Sequence, residues 1–191
     1  MEIIPLLPLE KRIGSNEQSD LLKDLSNIGA YKTIYILDYQ GINKDKPNLC
    51  VFQRLSRDFD LWIDSGPRNL GDVVDLFLAG ATAVTLRKKL WPNINIPAIR
   101  EISENSVFMN IEKENIEEIA FYAVDGLINF NSREDIEKDY KFNQLIKQAS
   151  LKNKLYSYEE DAENISYWKS HSIEKLLVDL NKIKEFNRYV E

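Results

Sequence analysis

Residues 61–86 spell out a complete strand–helix–strand unit, and that unit restricts the folds open to this chain more than any other stretch. The apolar run Leu61-Trp62-Ile63 ends at Asp64-Ser65-Gly66, and Pro67 and Arg68 carry the turn. Asn69 stands at an N-cap position, with Asp72 three residues on in the manner of a capping box. Val73, Val74, Phe77 and Leu78 then recur at helical spacing and predict one buried helix face. Gly80 supplies a left-handed C-cap, and Ala83-Val84-Thr85-Leu86 opens the next strand after a short turn. Two strands joined so tightly through a helix make a right-handed parallel crossover.

The same alternation runs through the rest of the chain. Residues 2–9 read as a first strand that turns sharply at Pro8. Ser19 caps a helix through Leu21, Leu22, Leu25 and Ile28, closed by Gly29. Residues 33–38 form a continuous β-branched run, the pattern of a strand buried on both faces. Further strands are predicted at 107–111, 126–130, 154–158 and 173–180, with helices at 48–56, 97–102, 116–123, 140–149 and 165–168. Ile183, Phe186 and Tyr189 recur at helical spacing near the end of the chain and predict a last helix packed on its own barrel. No linker rich in Gly, Ser or Pro divides the chain, so residues 1–191 are expected to form one α/β domain. Eight strand–helix units predict a closed eight-stranded parallel β/α (TIM) barrel with minimal loops, smaller than the usual ~250 residues. An open doubly wound sheet is the rival architecture.

Composition narrows the function classes. Hydrophobic residues at 43% and charged residues at 29% exclude disordered and fibrous classes, and a net charge of −6 argues against a nucleic-acid partner. No apolar run reaches the roughly 18 residues of a membrane span. Residues 1–5 lack a basic leader segment, so no membrane association and a cytoplasmic location are expected. The single cysteine, Cys50, excludes an internal disulfide and reads as a small buried hydrophobe in the 48–56 helix. His171 has no partner at metal-ligand spacing and reads as a loop or helix-end residue. Neither a metal site nor a cofactor is implied.

Several of these residues carry a family likeness. Ile3-Ile4-Pro5 lies in the first strand. Asp38-Tyr39-Gln40-Gly41 stands where the HisA/HisF histidine-biosynthesis barrels have Asp-Leu-Asp-Gly, and Asp64-Ser65-Gly66-Pro67-Arg68 where they have a Gly-rich or Asp-Ala-Gly-Ile-Arg turn. With Leu78-Ala79-Gly80-Ala81 at the helix end, the first ~112 residues resemble that family, and more closely a divergent branch of it found in archaea and methylotrophs. The resemblance implies a barrel with its ligand at the C-terminal strand ends, a ribotide-isomerase relative, and a link to one-carbon cofactor metabolism. The isomerases use two aspartates as general acid and base, closing the first and fifth strands; here those positions fall at Pro8 and Asn110. The Gly-rich phosphate cradles are replaced by Arg87-Lys88-Lys89 after the fourth strand and by Tyr158-Glu159-Glu160 after the seventh.

The remaining chemistry is expected at strand ends. Asp38 and Asp64 close neighbouring strands, which would let their carboxylates face each other and raise the pKa of one as a catalytic acid or base; the alternative is that each accepts backbone N–H bonds in its own turn. Gln40, Ser65, Arg87, Lys88, Asn110 and Asn129 are the candidate ligand-binding residues, with Arg87 and Lys88 as side-chain replacements for a phosphate cradle. Asn110 and Glu112 are candidates to hold a hydroxylated ligand or a divalent ion with oxygen ligands, with alternation turning one of them inward and the other toward the helices. Two functions follow: a non-catalytic or diverged barrel serving as a binding protein or subunit, with a protein partner or a second copy, and an isomerase- or lyase-type enzyme acting on a small anionic or phosphorylated metabolite.

Overall fold

Eight strands pair in parallel in chain order, and the last pairs with the first, so the sheet has no edge. They are β1 (Glu2–Leu9), β2 (Thr33–Asp38), β3 (Asp60–Asp64), β4 (Ala81–Leu86), β5 (Ser106–Ile111), β6 (Gly126–Asn129), β7 (Leu155–Tyr158) and β8 (Lys175–Asp179). The computed structural model describes residues 1–14, 17, 21, 25 and 31–190, and the helix expected over 19–29 lies outside these except at Leu21 and the buried Leu25. Outside the barrel run α1 (Tyr39–Lys44), α2 (Leu49–Leu55), α3 (Leu70–Leu78), α4 (Ile96–Ile102), α5 (Ile116–Ile119), α6 (Arg133–Lys138), α7 (Tyr140–Lys152), α8 (Ile165–Ser170) and α9 (Ile183–Val190). The closed ring settles the choice against an open sheet.

Alternation along each strand divides the core into two layers. Ile34, Ile36, Ile63, Val84 and Met109 face outward and meet helix residues such as Phe52, Leu76 and Ile99. Ile4, Leu6, Tyr35, Trp62, Phe108, Ile128 and Tyr156 fill the lumen. The lumen is aromatic: the rings of Trp62 and Phe108 lie 3.9 Å apart at their centroids, and the Tyr156 ring meets Trp62 edge-on at 5.1 Å. Large rings fill the ring of strands with few residues, so short strands and helices suffice for a packed barrel.

Local rules account for the central crossover. Asn69 caps α3 by accepting from the Asp72 N–H at 3.1 Å, while Asp72 accepts from the Arg68 N–H at 2.7 Å, one residue outside the reciprocal position. Gly80 has φ +98, and a Cβ there would meet the Ser56 side chain at 2.4 Å.

Several expectations need correction. β1 continues through Pro8 to Leu9; Pro8 lies beyond the last residue paired with β8, an edge-like place where a sheet tolerates proline. α3 buries Val73 and Leu76 and leaves Leu78 77% exposed, because the i, i+3 stripe completed by Ala79 sets its phase. The 116–123 helix is the single turn α5, and the unforeseen α6, capped by Ser132, precedes α7. Cys50 is exposed on α2, where Val51, Phe52 and Leu55 take the buried face. Among the described residues, no helix is long and apolar enough to cross a membrane.

Candidate functional site

Inward positions at the C-terminal ends of β2 to β4 hold a connected polar network. Asp64 lies two residues after the lumen residue Trp62, and Arg87 two residues after Thr85, so both face inward. The Arg87 guanidinium grips Asp64 with two nitrogens, Nε at 3.0 Å from Oδ1 and Nη2 at 2.7 Å from Oδ2. Tyr35 Oη lies 3.1 Å from Asp64 Oδ2 and 3.1 Å from Thr85 Oγ1, and Trp62 Nε1 donates to Thr85 Oγ1 at 2.9 Å. Donor counting fixes the direction: the indole only donates and the carboxylate only accepts, so protons point from Trp62 through Thr85 and Tyr35 to Asp64. Burial works against the Arg87 charge, and the Asp64 carboxylate more than offsets it, so the guanidinium is held above its ordinary pKa. Burial, then the Asp64 charge, pushes the Tyr35 phenol well above its ordinary value.

Asp38 sits one residue past the inward Leu37 and faces the helices, so it does not meet Asp64. It caps α1 through the Gln40 N–H at 3.2 Å and accepts from Asn48 N and Nδ2, each at 2.9 Å. Burial raises its pKa, with those hydrogen bonds acting in the other direction. Gln40 Nε2 donates to the Glu10 carbonyl at 2.6 Å. Ser65 brings its backbone carbonyl against Gly41, where a Cβ would approach to 2.4 Å; this close contact is what requires glycine in the Asp38-Tyr39-Gln40-Gly41 turn. Arg68 ties the same corner by donating to the carbonyls of Gly41, Ile42 and Gly66. Lys88 points to α5, ion-paired to Glu118 at 2.6 Å and bonded to Tyr122 Oη at 2.8 Å. Asn129 is buried among Asn131 and Ser157 on the outer side of β6. Glu159 accepts from Trp168 Nε1 at 2.6 Å and from two backbone N–H groups.

The β5–β6 side differs. A cleft of about 1000 Å³ opens at the ends of these strands, bounded by Asn110, Glu112, Phe130 and Asn131 and by α6 and α7. Asn110 and Glu112 are two residues apart, so alternation turns both toward the mouth rather than one inward and one out. Asn110 is 3% exposed, and its Oδ1 has no hydrogen-bond partner among the described residues. Phe130 separates this cleft from a second one, about 640 Å³, that reaches Tyr158, Glu160 and Arg133. The Arg87 guanidinium lies 5.7 Å from the Phe130 centroid, and Tyr158 Oη is 2.9 Å from Asp179 Oδ2.

Of the candidates read from sequence, Asp64, Arg87 and Asn110 come together at the mouth, whereas Asp38, Gln40, Ser65, Lys88 and Asn129 do not join them. Tyr35, Thr85, Phe130, Tyr158 and Asp179 belong to the mouth and escaped the sequence reading. Period-two counting back from Asp64 and Arg87 reaches Trp62 and Thr85 and was the available signal. Among the described residues, no group of three or more His, Cys, Asp or Glu is placed to hold a metal ion.

The sequence matches no protein-family model and no curated protein. In structure, 143 solved chains match it. One, described as a monomeric variant of dihydrodipicolinate synthase, superposes with a TM-score of 0.60 at 13% identity, over 97% of this chain and 71% of that one. At that identity the likeness shows the β/α-barrel fold and nothing finer.

Proposed function

We propose that this chain is a single-domain relative of the HisA/HisF barrels that has left the isomerase chemistry behind and acts in the cytoplasm as a binding protein or subunit. The observation that carries the reading is the engagement of Asp64: one oxygen is held by Arg87 Nε, the other by Arg87 Nη2 and Tyr35 Oη. A carboxylate so engaged is committed to the barrel, because turning it toward a substrate would leave the Arg87 guanidinium without its counter-ion. Pro8 and Asn110, at the positions where the resemblance calls for the acid and base, cannot exchange a proton at neutral pH. The alternative, an isomerase or lyase acting on a phosphorylated metabolite, gains no uncommitted cation from Arg87 or Lys88, since both are ion-paired. A macromolecular partner or second copy is supported by Phe121 and Leu151, each 82% exposed near α5 and on α7. The test is turnover of the histidine-pathway ribotide by purified protein, followed chromatographically. No product above background is expected; product formation that disappears in Asp64→Asn overturns the reading.

A further inference from the structure

Asn110 is the unusual residue of the mouth. Its side chain is buried on the inner face of β5, its amide oxygen has no donor among the described residues, and it lines the cleft of about 1000 Å³. An unmade hydrogen bond at so buried an atom costs stability that a leucine of similar volume would not. We infer that this cleft at the ends of β5 and β6 is a binding site for a small, uncharged, hydroxylated molecule of the polyol or sugar class, with Asn110 as its recognition residue.

Two features select that chemistry. The cleft's lysines are already committed: Lys113 to Asp139, Lys138 to Glu134 at 3.2 Å and Lys141 to Glu117 at 3.0 Å. Glu112, Glu114 and Asp135 make no such pair among the described residues, so the field in the cleft disfavours an anion such as a phosphate ester. A hydroxyl can both donate and accept, so it completes the Asn110 amide whichever way its oxygen and nitrogen are turned. Phe130 supplies an apolar wall for the carbon side of such a ligand, and Asn110, Glu112 and Asn131 offer polar groups from the ends of β5 and β6. The site concerns recognition, so it stands whether or not any turnover is found.

The experiment follows the side-chain amide of Asn110 by NMR in the full chain, with D-ribose, ribose 5-phosphate and inorganic phosphate as probes at about 10 mM, above the millimolar range of weak ligands. D-Ribose is expected to shift the Asn110 side-chain resonance and the amides of Glu112 and Phe130, with ribose 5-phosphate weaker and phosphate inert. Asn110→Leu is expected to abolish the shifts while leaving the melting temperature unchanged or raised. Three results overturn the inference: no shift with D-ribose, a larger response to either phosphate-bearing probe, or a melting temperature that falls in Asn110→Leu, which would mean that the amide serves the fold.

Discussion

On the β2–β4 side of the mouth, Asp64, Tyr35, Thr85 and Trp62 are joined in one hydrogen-bonded chain that ends on a charge pair, whereas on β5 the equally buried Asn110 leaves its oxygen without a donor. The two sides lie at the same height in the same ring, since Leu86 pairs with Met109 and the next positions are Arg87 and Asn110. Packing therefore does not explain the contrast. The first side resembles a structural core that contains polar atoms; the second resembles a recognition surface, where an unsatisfied group is tolerated because something else can complete it.

The sharpest way to break this comparison is to remove Asp64. Asp64→Ala leaves Arg87, whose side chain is 17% exposed, without its counter-ion and takes away the acceptor of Tyr35. Losing one member of a buried pair costs about 3–5 kcal/mol, so urea unfolding should show a loss in that range. The double variant Asp64→Leu with Arg87→Met removes both charges and should recover most of the loss. If Asp64→Ala is nearly silent, the network is not structural and the contrast with Asn110 disappears.

A smaller effect separates the inner face from the outer one. Burial holds the Asp38 carboxyl above its ordinary pKa, so the native state binds that proton more tightly than the unfolded chain does. The stabilisation from protonating Asp38 is therefore fully present below the unfolded pKa and is lost as pH rises through the folded one. Asp38→Asn removes this component. The stability of wild type minus that of the variant should fall as pH rises through the window just above the ordinary aspartate value of about 3.9. A difference that instead grows with pH would show that the bonds from Asn48 and Gln40 outweigh burial.

How legible this was in the sequence depends on whether a stretch carries phase. Residues 33–38 were readable as a strand to the residue, and Asn69 and Gly80 bracketed α3, because caps and turns leave local marks. The face on which Asp38 lies was not readable. A strand apolar on both sides shows no alternation, so nothing before Asp38 tells whether it points to the lumen or to the helices. Cys50 failed for the same reason: Leu49-Cys50-Val51-Phe52 is apolar throughout and hides the helix phase that exposes the thiol. The Asp64–Arg87 pair joins strands that are neighbours in space and carries no short-range signature, so each residue was visible as a strand end while their mutual bond was not.

The smallest expected effect concerns Lys88, and it sharpens the comparison by asking whether the mouth holds a spare cation anywhere. Lys88 leans away from Arg87 toward α5, where bonds to Glu118 and Tyr122 raise its pKa. Glu118 is largely in water, so the pair contributes little, and salt screens what it does contribute. Lys88→Ala should lower the melting temperature by no more than about 2 °C, an amount typical of a surface pair in a chain of this size. If Lys88 instead held an anionic ligand, inorganic phosphate would raise the melting temperature of wild type and not of the variant. With Lys88 committed to Glu118, both proteins should respond to phosphate alike, and a phosphate shift confined to wild type would move the recognition site from β5 to the β4–α5 corner.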